Sequence, residues 1–377
     1  MIYAEIRNAN RELIGIIDNA NSIIWHSKYY GVGDFEIYCD ASDTHRQLLQ
    51  VGYYVTRQDN DEVGIIENIS ISFTLNEGYM ITATGRFAKS ILDRRLIYKL
   101  SGTQNTPTIL SGDVELAVRG LVFNNAISCS FDSRRNFPML VLGELSGIDK
   151  TIVDENGNPS QKQVSYQNLL EYTETVLQEY KMAAKVVYRH SNLYDRKLVY
   201  IVYEGTDRNV DNEDGNDAII FSTDYDNLTS CDYDYITATY KNTALIGGAG
   251  EGLGRFYTLL TDNQSGLDLR ELFVDASSVN RTYKDNNDQE QTYTDAEYTK
   301  MLCQKGSEKL NEVPIDESFA GDINVSYGKW QYGVDYFLGD VVTVQDNKID
   351  KYINVRITEA TEVQDRNGYS VDIVFGD

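Results

Sequence analysis

The residues that could do chemistry are few and scattered. His26, His45 and His190 are the three histidines, the side chains best matched to proton transfer near neutral pH. None lies in an HExxH pair, and no GxSxG elbow presents a nucleophilic serine. Carboxylates number 58, so no Asp/Glu couple stands out as a glycosidase pair, whose defining separation is spatial. The acidic run from Asp207 to Asp217 suggests calcium. Placing Gly215 at the loop glycine of an EF-hand, however, puts Val210 at the first ligand position, where an oxygen is required. A solvated loop turning at Asp214-Gly215 is the expected structure. No catalytic residue, metal site or cofactor is expected.

The densest local feature is Gly247-Gly248-Ala249-Gly250-Glu251-Gly252-Leu253-Gly254-Arg255. A phosphate cradle would need a following Lys-Ser/Thr or a GxGxxG frame, and neither is present. Glu251 would repel phosphate. What remains is a backbone with many positive-φ options, able to approach another chain closely. Gly247, Gly248, Gly250, Glu251, Gly252, Gly254 and Arg255 are therefore the candidate interface residues, with Arg255 paired to Glu251 in the loop or reaching across an interface. Cys39, Cys129, Cys231 and Cys303 are too far apart for a zinc knuckle or a disulfide framework and read as buried thiols.

Composition narrows the partners. Lys and Arg total 34 in 377 residues, which leaves a formal charge of −24. Residues 191–240 alone hold eleven acidic side chains against three basic ones. Such a chain does not grip nucleic acid through its phosphates, nor does it adhere to anionic lipid. With 41% hydrophobic and 11% aromatic residues it can still bury a core. The start, Ile2-Tyr3-Ala4-Glu5-Ile6-Arg7, alternates and carries charge, so no signal peptide is expected. No apolar run approaches the roughly 18 residues of a membrane span, and no direct membrane anchor is expected.

The elements that must position these residues are mostly strands. Residues 1–100 hold short β-branched and aromatic runs at even spacing, which predicts a barrel or sandwich. In Asp34-Phe35-Glu36-Ile37-Tyr38, Phe35 and Ile37 share one face and Glu36 takes the other. Gly64 to Phe73 reads as one long strand, turning at Asn76-Glu77-Gly78 into Tyr79–Thr84. Arg86 to Ile97 has helical spacing, and residues 101–112 read as a linker. Asp113 should cap a helix facing inward through Val114, Ala117, Val118 and Leu121. A stronger helix is predicted over 166–182. Thr294 and Glu297 form a capping box for a helix to about Leu310. Strands return near 236–238, 256–260, 340–344, 352–357 and 369–375.

Four segments together resemble the baseplate-hub proteins of siphovirus-type tails, the family that includes the N-terminal module of tail-associated lysins. They are Tyr30–Glu36; Gly64–Glu67 with Gly85-Arg86 and Ile91–Arg95; Asn242–Arg255 with Arg270–Asp275; and Tyr336–Val342. The resemblance implies an α+β, mainly β protein, with two tube-like β-barrel domains and smaller α/β decorating domains. The expected divisions are 1–100 for the first barrel and 101–215 for a decorating domain. Residues 216–262 with 311–377 would make the second barrel, and 263–310 a small helical insertion.

It further implies a non-enzymatic homotrimer at the virion tail tip, assembled in the host cytoplasm. The ring would adapt a sixfold tube to a threefold tip, beside a distal tail protein, the tail tube and a tape-measure protein, with DNA only in transit. The chain stops at Asp377, just after its last strand, so no hydrolase or receptor-binding extension is expected. An envelope glycan hydrolase and a carbohydrate-binding tail adhesin are the alternatives; 28 tyrosines suit the latter but equally suit strands and interfaces.

Overall fold

Alternation drives the first hundred residues. Ser22–Lys28 buries Ile23, Trp25 and Ser27, and Asp34–Asp40 buries Phe35, Ile37 and Cys39, with the intervening side chains turned outward. The computed structural model describes residues 2–102, 104–154, 157–191, 193–228, 230, 232–284, 289–322, 329–346, 348 and 351–376. Cys231 lies outside them; Cys39, Cys129 and Cys303 are buried free thiols.

Two sheets enclose the first core. One has four strands, in the order Leu13–Ile17, Ala4–Arg7, Tyr54–Thr56, Val63–Ile65. The other is a ten-stranded sheet that extends far beyond this region. Its main path runs Asp232–Ile236, Asp316–Asp322, Gly368–Gly376, Lys351–Asp365, Ser22–Lys28, Asp34–Asp40, Gly78–Arg86, Asn68–Thr74. Every neighbour on this path is antiparallel. Val341–Asp346 and Ile220–Ser222 branch from Lys351–Asp365. Trp25, Phe35, Phe87 and Ile81 fill the first core; Phe221, Tyr336, Val355 and Phe375 fill that of the second β unit.

The fifteen-residue strand Lys351–Asp365 joins the two units. Residues 351–356 pair with Val341–Asp346 of the second unit, and residues 359–365 pair with Ser22–Lys28 of the first. A buried ion pair pins the second half. The Arg57 side chain is 1% exposed. Its guanidinium donates to both oxygens of Glu362, at 2.6 and 3.1 Å, and to Asp59, at 2.9 and 2.7 Å, and it lies over the Trp25 ring. Burial favours the neutral form of Arg57, but the two carboxylates outweigh it and raise the pKa above the ordinary arginine value.

Three local expectations are corrected. The long strand 64–73 breaks at Ile66-Glu67: Val63–Ile65 joins the small sheet and Asn68–Thr74 the large one. Gly85 permits that crossing, because a Cβ there would lie 1.8 Å from the Ile65 carbonyl oxygen. The predicted helix 86–97 is only a tight 3₁₀ stretch, Ala88–Arg94. Backbone bonds of Ile97 to Gln167 and of Leu169 to Arg95 draw the chain straight beyond it. Within the expected linker, Thr108–Ser111 is a strand paired with Gln161–Val164.

The helices are α1 (Asp43–Leu48), α2 (Val114–Val122), α3 (Leu169–Glu179) and α4 (Asp295–Asn311). Asp113 caps α2 by accepting from the Leu116 amide, and Thr294 and Glu297 form the capping box of α4. The core around α2 and α3 includes Val118, Leu121, Val176, Val186 and Tyr200, and takes in Leu140–Leu142, Lys197–Tyr203 and Ala183–Arg189. Residues 243–261, expected with the second barrel, instead pair with Glu271–Asp275 and share a core with α4.

Replacing Arg57 by methionine strands the buried Glu362 carboxylate. The expected cost is about 3–5 kcal/mol, seen as a lowered thermal midpoint. A midpoint unchanged in Arg57→Met would show that the pair does not hold the two units together.

Candidate functional site

The glycine-rich loop connects strands Thr243–Gly247 and Tyr257–Thr261. It closes on its own side chains rather than on a ligand-shaped hollow. Arg255 folds back, its Nε donating to the Gly248 carbonyl at 3.1 Å and its Nη2 to the Gly247 carbonyl at 2.8 Å. The same Nη2 meets Asp275, not the expected Glu251. The reason is register: Glu271–Asp275 runs parallel to Thr243–Gly247 and sets Asp275 beside Gly247.

Two glycines have a packing reason. A Cβ on Gly247 would sit 2.8 Å from the Arg255 guanidinium, and one on Gly248 would sit 2.7 Å from the Tyr298 hydroxyl. That hydroxyl accepts from the Ala249 amide at 2.7 Å and donates to the Val279 carbonyl at 2.8 Å. Gly250 (φ +103°) lets the chain pass its own Gly254 carbonyl. Around Gly252 and Gly254 the space is open, and Leu253 between them is fully exposed. Beside the loop, Leu259, Leu245 and Phe273 stand side by side across three strands, all exposed.

The opposite side of α4 is held by charge. Lys162 Nζ donates to Glu179 at 2.8 Å and to Glu308 at 3.1 Å, and Lys305 to Glu308 at 2.6 Å. Burial raises the Glu179 carboxyl above its usual range; for Glu308 burial acts the same way, but the two lysines win and lower it.

A second feature escapes the sequence reading. Along the main path of the large sheet, the outward face collects carboxylates. Register places Asp34, Glu36 and Asp40 on one face with Glu359, Asp365, Asp372, Asp232 and Asp234. Asp316, opposite Ile236, makes nine carboxylates on that face among the described side chains of these strands, against the cations Lys28, Arg86 and, past the bulge at Ile357–Glu359, the buried Arg356. Lys28 lies 3.5 Å from Glu359, and Arg86 is paired with Glu67 and Asp93. His26 also sits there, with Nδ1 at 3.2 Å from Asp34 and Nε2 at 2.6 Å from Glu359. Its ring bridges three strands.

The remaining sequence candidates do not converge. His45 bonds the Asp40 carbonyl and Asn19, and His190 is exposed near Asp195. In the acidic loop, Asp207 and Asn209 side chains accept backbone amides two residues on, which is turn structure. No helix among the described residues is long and apolar enough to cross a membrane.

From residue 3 to residue 377 the chain matches the Siphovirus ReqiPepy6 Gp37-like protein family, and it belongs to that family. Its fold is similar to the tail protein from Neisseria meningitidis MC58, at a TM-score of 0.54 and 13% identity, covering 100% of this chain and 96% of that one. The 43 kDa tail protein of prophage MuSo2 from Shewanella oneidensis is also similar, at 0.54 and 10% identity, over 99% and 97% of the two chains. No curated protein sequence matches the chain.

Gly248→Ala should displace the Tyr298 hydroxyl and cost about 1–3 kcal/mol through overpacking. Faster hydrogen exchange at residues 243–249 and in α4 is the expected readout; unchanged exchange there would contradict this account of the loop.

Proposed function

We propose that this chain is a structural, non-enzymatic hub of the tail tip, three copies of which close into a ring through which DNA passes. The observation that carries the reading is the acidic face of the large sheet. Four strands from the first β unit and four from the second lie side by side in one continuous path. One face of that path is each unit's core, and the other carries nine carboxylates among its described side chains. In this reading each unit is a tube-like barrel element. Three chains then give six units, matching a sixfold tube above and a threefold tip below.

The electrostatics suit a conduit. Three chains carry 3 × −24 = −72 formal charges. A carboxylate-lined wall repels phosphate, so DNA slides without being held. A basic wall would retain it, more tightly with each phosphate neutralised. The glycine-rich loop, with exposed Leu253 and the apolar row beside it, serves as a contact surface within the assembly. The distal tail protein, tail tube and tape-measure protein are the expected neighbours.

Two measurements test this. Mass in solution should give 3 × 42.7 = 128.1 kDa; a chain that stays at 42.7 kDa at high concentration would sink the trimer. Reversing Glu36, Asp40 and Asp372 to lysine should create salt-sensitive binding of duplex DNA, absent from the parent chain. If the variant ring ignores DNA at low salt, the acidic face does not line the channel.

A further inference from the structure

A cavity of about 640 Å³ lies where three units of the chain meet. The first β unit lines it with Ser27 and residues 58–62, and the unit around α2 and α3 with Lys185 and Tyr203. The second β unit adds Tyr332, Phe337 and Asp340. Exposed Gln331 and Val334, also in its lining, leave it open to solvent. Nothing in the ring reading uses this space, and it is complete within one chain.

The lining is one-sided in charge. It holds six carboxylates, Asp59, Asp61, Glu62, Glu204, Asp340 and Glu362, against one cation, Lys185. Five of the six already have a basic partner. Arg57 meets Asp59 and Glu362, Lys185 and Arg189 meet Asp61, Lys150 meets Glu204, and Arg208 meets Asp340. Glu62 makes no ion pair among the described residues. Its nearest cations are turned elsewhere, Lys89 to Glu174 at 2.9 Å and Lys185 to Asp61 at 3.6 Å. Its Oε2 accepts from the Ser27 hydroxyl at 2.8 Å, and burial raises its carboxyl above the usual range. A carboxylate held out of water without a counter-ion is costly, and a cation relieves that cost.

Two phenols stand beside it. Tyr203 and Tyr332 line the cavity, and their hydroxyls make no hydrogen bond among the described residues. Glu62 is close enough to oppose the ionisation of both, and Tyr332 that of Tyr203. Each of the three units therefore supplies one uncommitted oxygen: Glu62 Oε1, the Tyr203 hydroxyl and the Tyr332 hydroxyl.

We propose that this cavity binds a primary alkylammonium, carried by a free polyamine or by a lysine of another protein, with Glu62 as its counter-ion. An anion would meet six carboxylates and one lysine. An ammonium has three N–H donors and no acceptor, which matches three oxygens. A guanidinium bonds best across both oxygens of one carboxylate, and Ser27 already occupies one of those of Glu62. The alkyl chain behind the ammonium lies along the rings of Tyr203, Tyr332 and Phe337. Lys185 shows the affinity of such a ring for an ammonium, with its Nζ 5.1 Å from the Tyr203 centroid.

Calorimetry with spermidine tests the site, at about 0.15 M salt so that diffuse attraction to an acidic surface is screened. Spermidine should bind at one site per chain and raise the thermal midpoint, as a ligand of the folded state does. Glu62→Gln keeps the side-chain shape and the acceptor for Ser27, so the fold should stand. It should weaken binding at least about tenfold, the worth of a charge-assisted hydrogen bond. At neutral pH it should also raise the midpoint of the ligand-free chain, because it removes a buried charge that has no counter-ion. Tyr332→Phe should weaken binding by a smaller factor. Nα-acetyl-lysine methylamide separates the two sources: binding as tight as that of spermidine assigns the site to a protein-borne lysine, and binding of spermidine alone assigns it to a free polyamine. Equal binding of spermidine by the parent and by Glu62→Gln would show that the surface as a whole attracts amines, and the inference fails. It fails equally if neither amine binds.

Discussion

The architecture depends on one buried charge. Glu362 sits on the strand that the two β units share, and its side chain turns into the first unit's core beside Trp25. A carboxylate there is tolerable only because Arg57 meets both of its oxygens and Asp59 shares the cation. The Tyr369 hydroxyl donates to the same carboxylate at 2.8 Å. Such an arrangement does little for net stability compared with packed apolar groups. It is well suited to fixing register, since Glu362 can reach Arg57 in only one alignment of residues 359–365 on Ser22–Lys28. Register matters here because a one-residue slip turns a strand's faces over. Slipped by one, Glu359 and Asp365 would point into the core, and Ala360 toward solvent.

What was legible in the sequence was local. The alternation in Asp34–Asp40 separates Phe35 and Ile37 from Glu36, and the structure keeps that separation. The caps at Asp113 and Thr294 are where their side-chain chemistry puts them. The apolar stripe of α3 is buried through Leu169, Leu170, Thr173, Val176 and Leu177. The misreadings share a cause. At 86–97 and 101–112, pairing with residues near 161–169 overrides local propensity. The acidic face could not be read at all, since it joins residues 34–40 to residues 359–372 and to Asp232 and Asp234. Each contributing strand shows one to three outward carboxylates, which alone look like ordinary solvated positions.

The glycine-rich loop illustrates how a tempting motif dissolves into packing. Its first glycines make room for Arg255 and Tyr298 of the same chain, and the backbone carbonyls that might have greeted a ligand are occupied by a guanidinium. Helix α4 then has two different sides. One is apolar and lies on the loop's own sheet, with Gly306 close against Ile246. The other meets residues 153–179 through Lys162, Glu179, Lys305 and Glu308, and through Gln304 with Ser160 and Val153. An interface between units built from polar contacts of this kind resembles those that form and separate.

The shared strand also has a consequence for how the chain comes into being. Ser22–Lys28 leaves the ribosome early, but its partner, residues 359–365, follows more than 330 residues later. At about 5–20 residues per second, the first β unit waits roughly 20–70 seconds for the strand that completes it. During that interval the unpaired edge of Ser22–Lys28 is a hazard for misassembly. Long-range pairing of this sort is slow to form and late to pay back its loop-closure entropy. It also acts as a check on completeness: a chain interrupted before the last hairpin lacks the strand that unites its two halves.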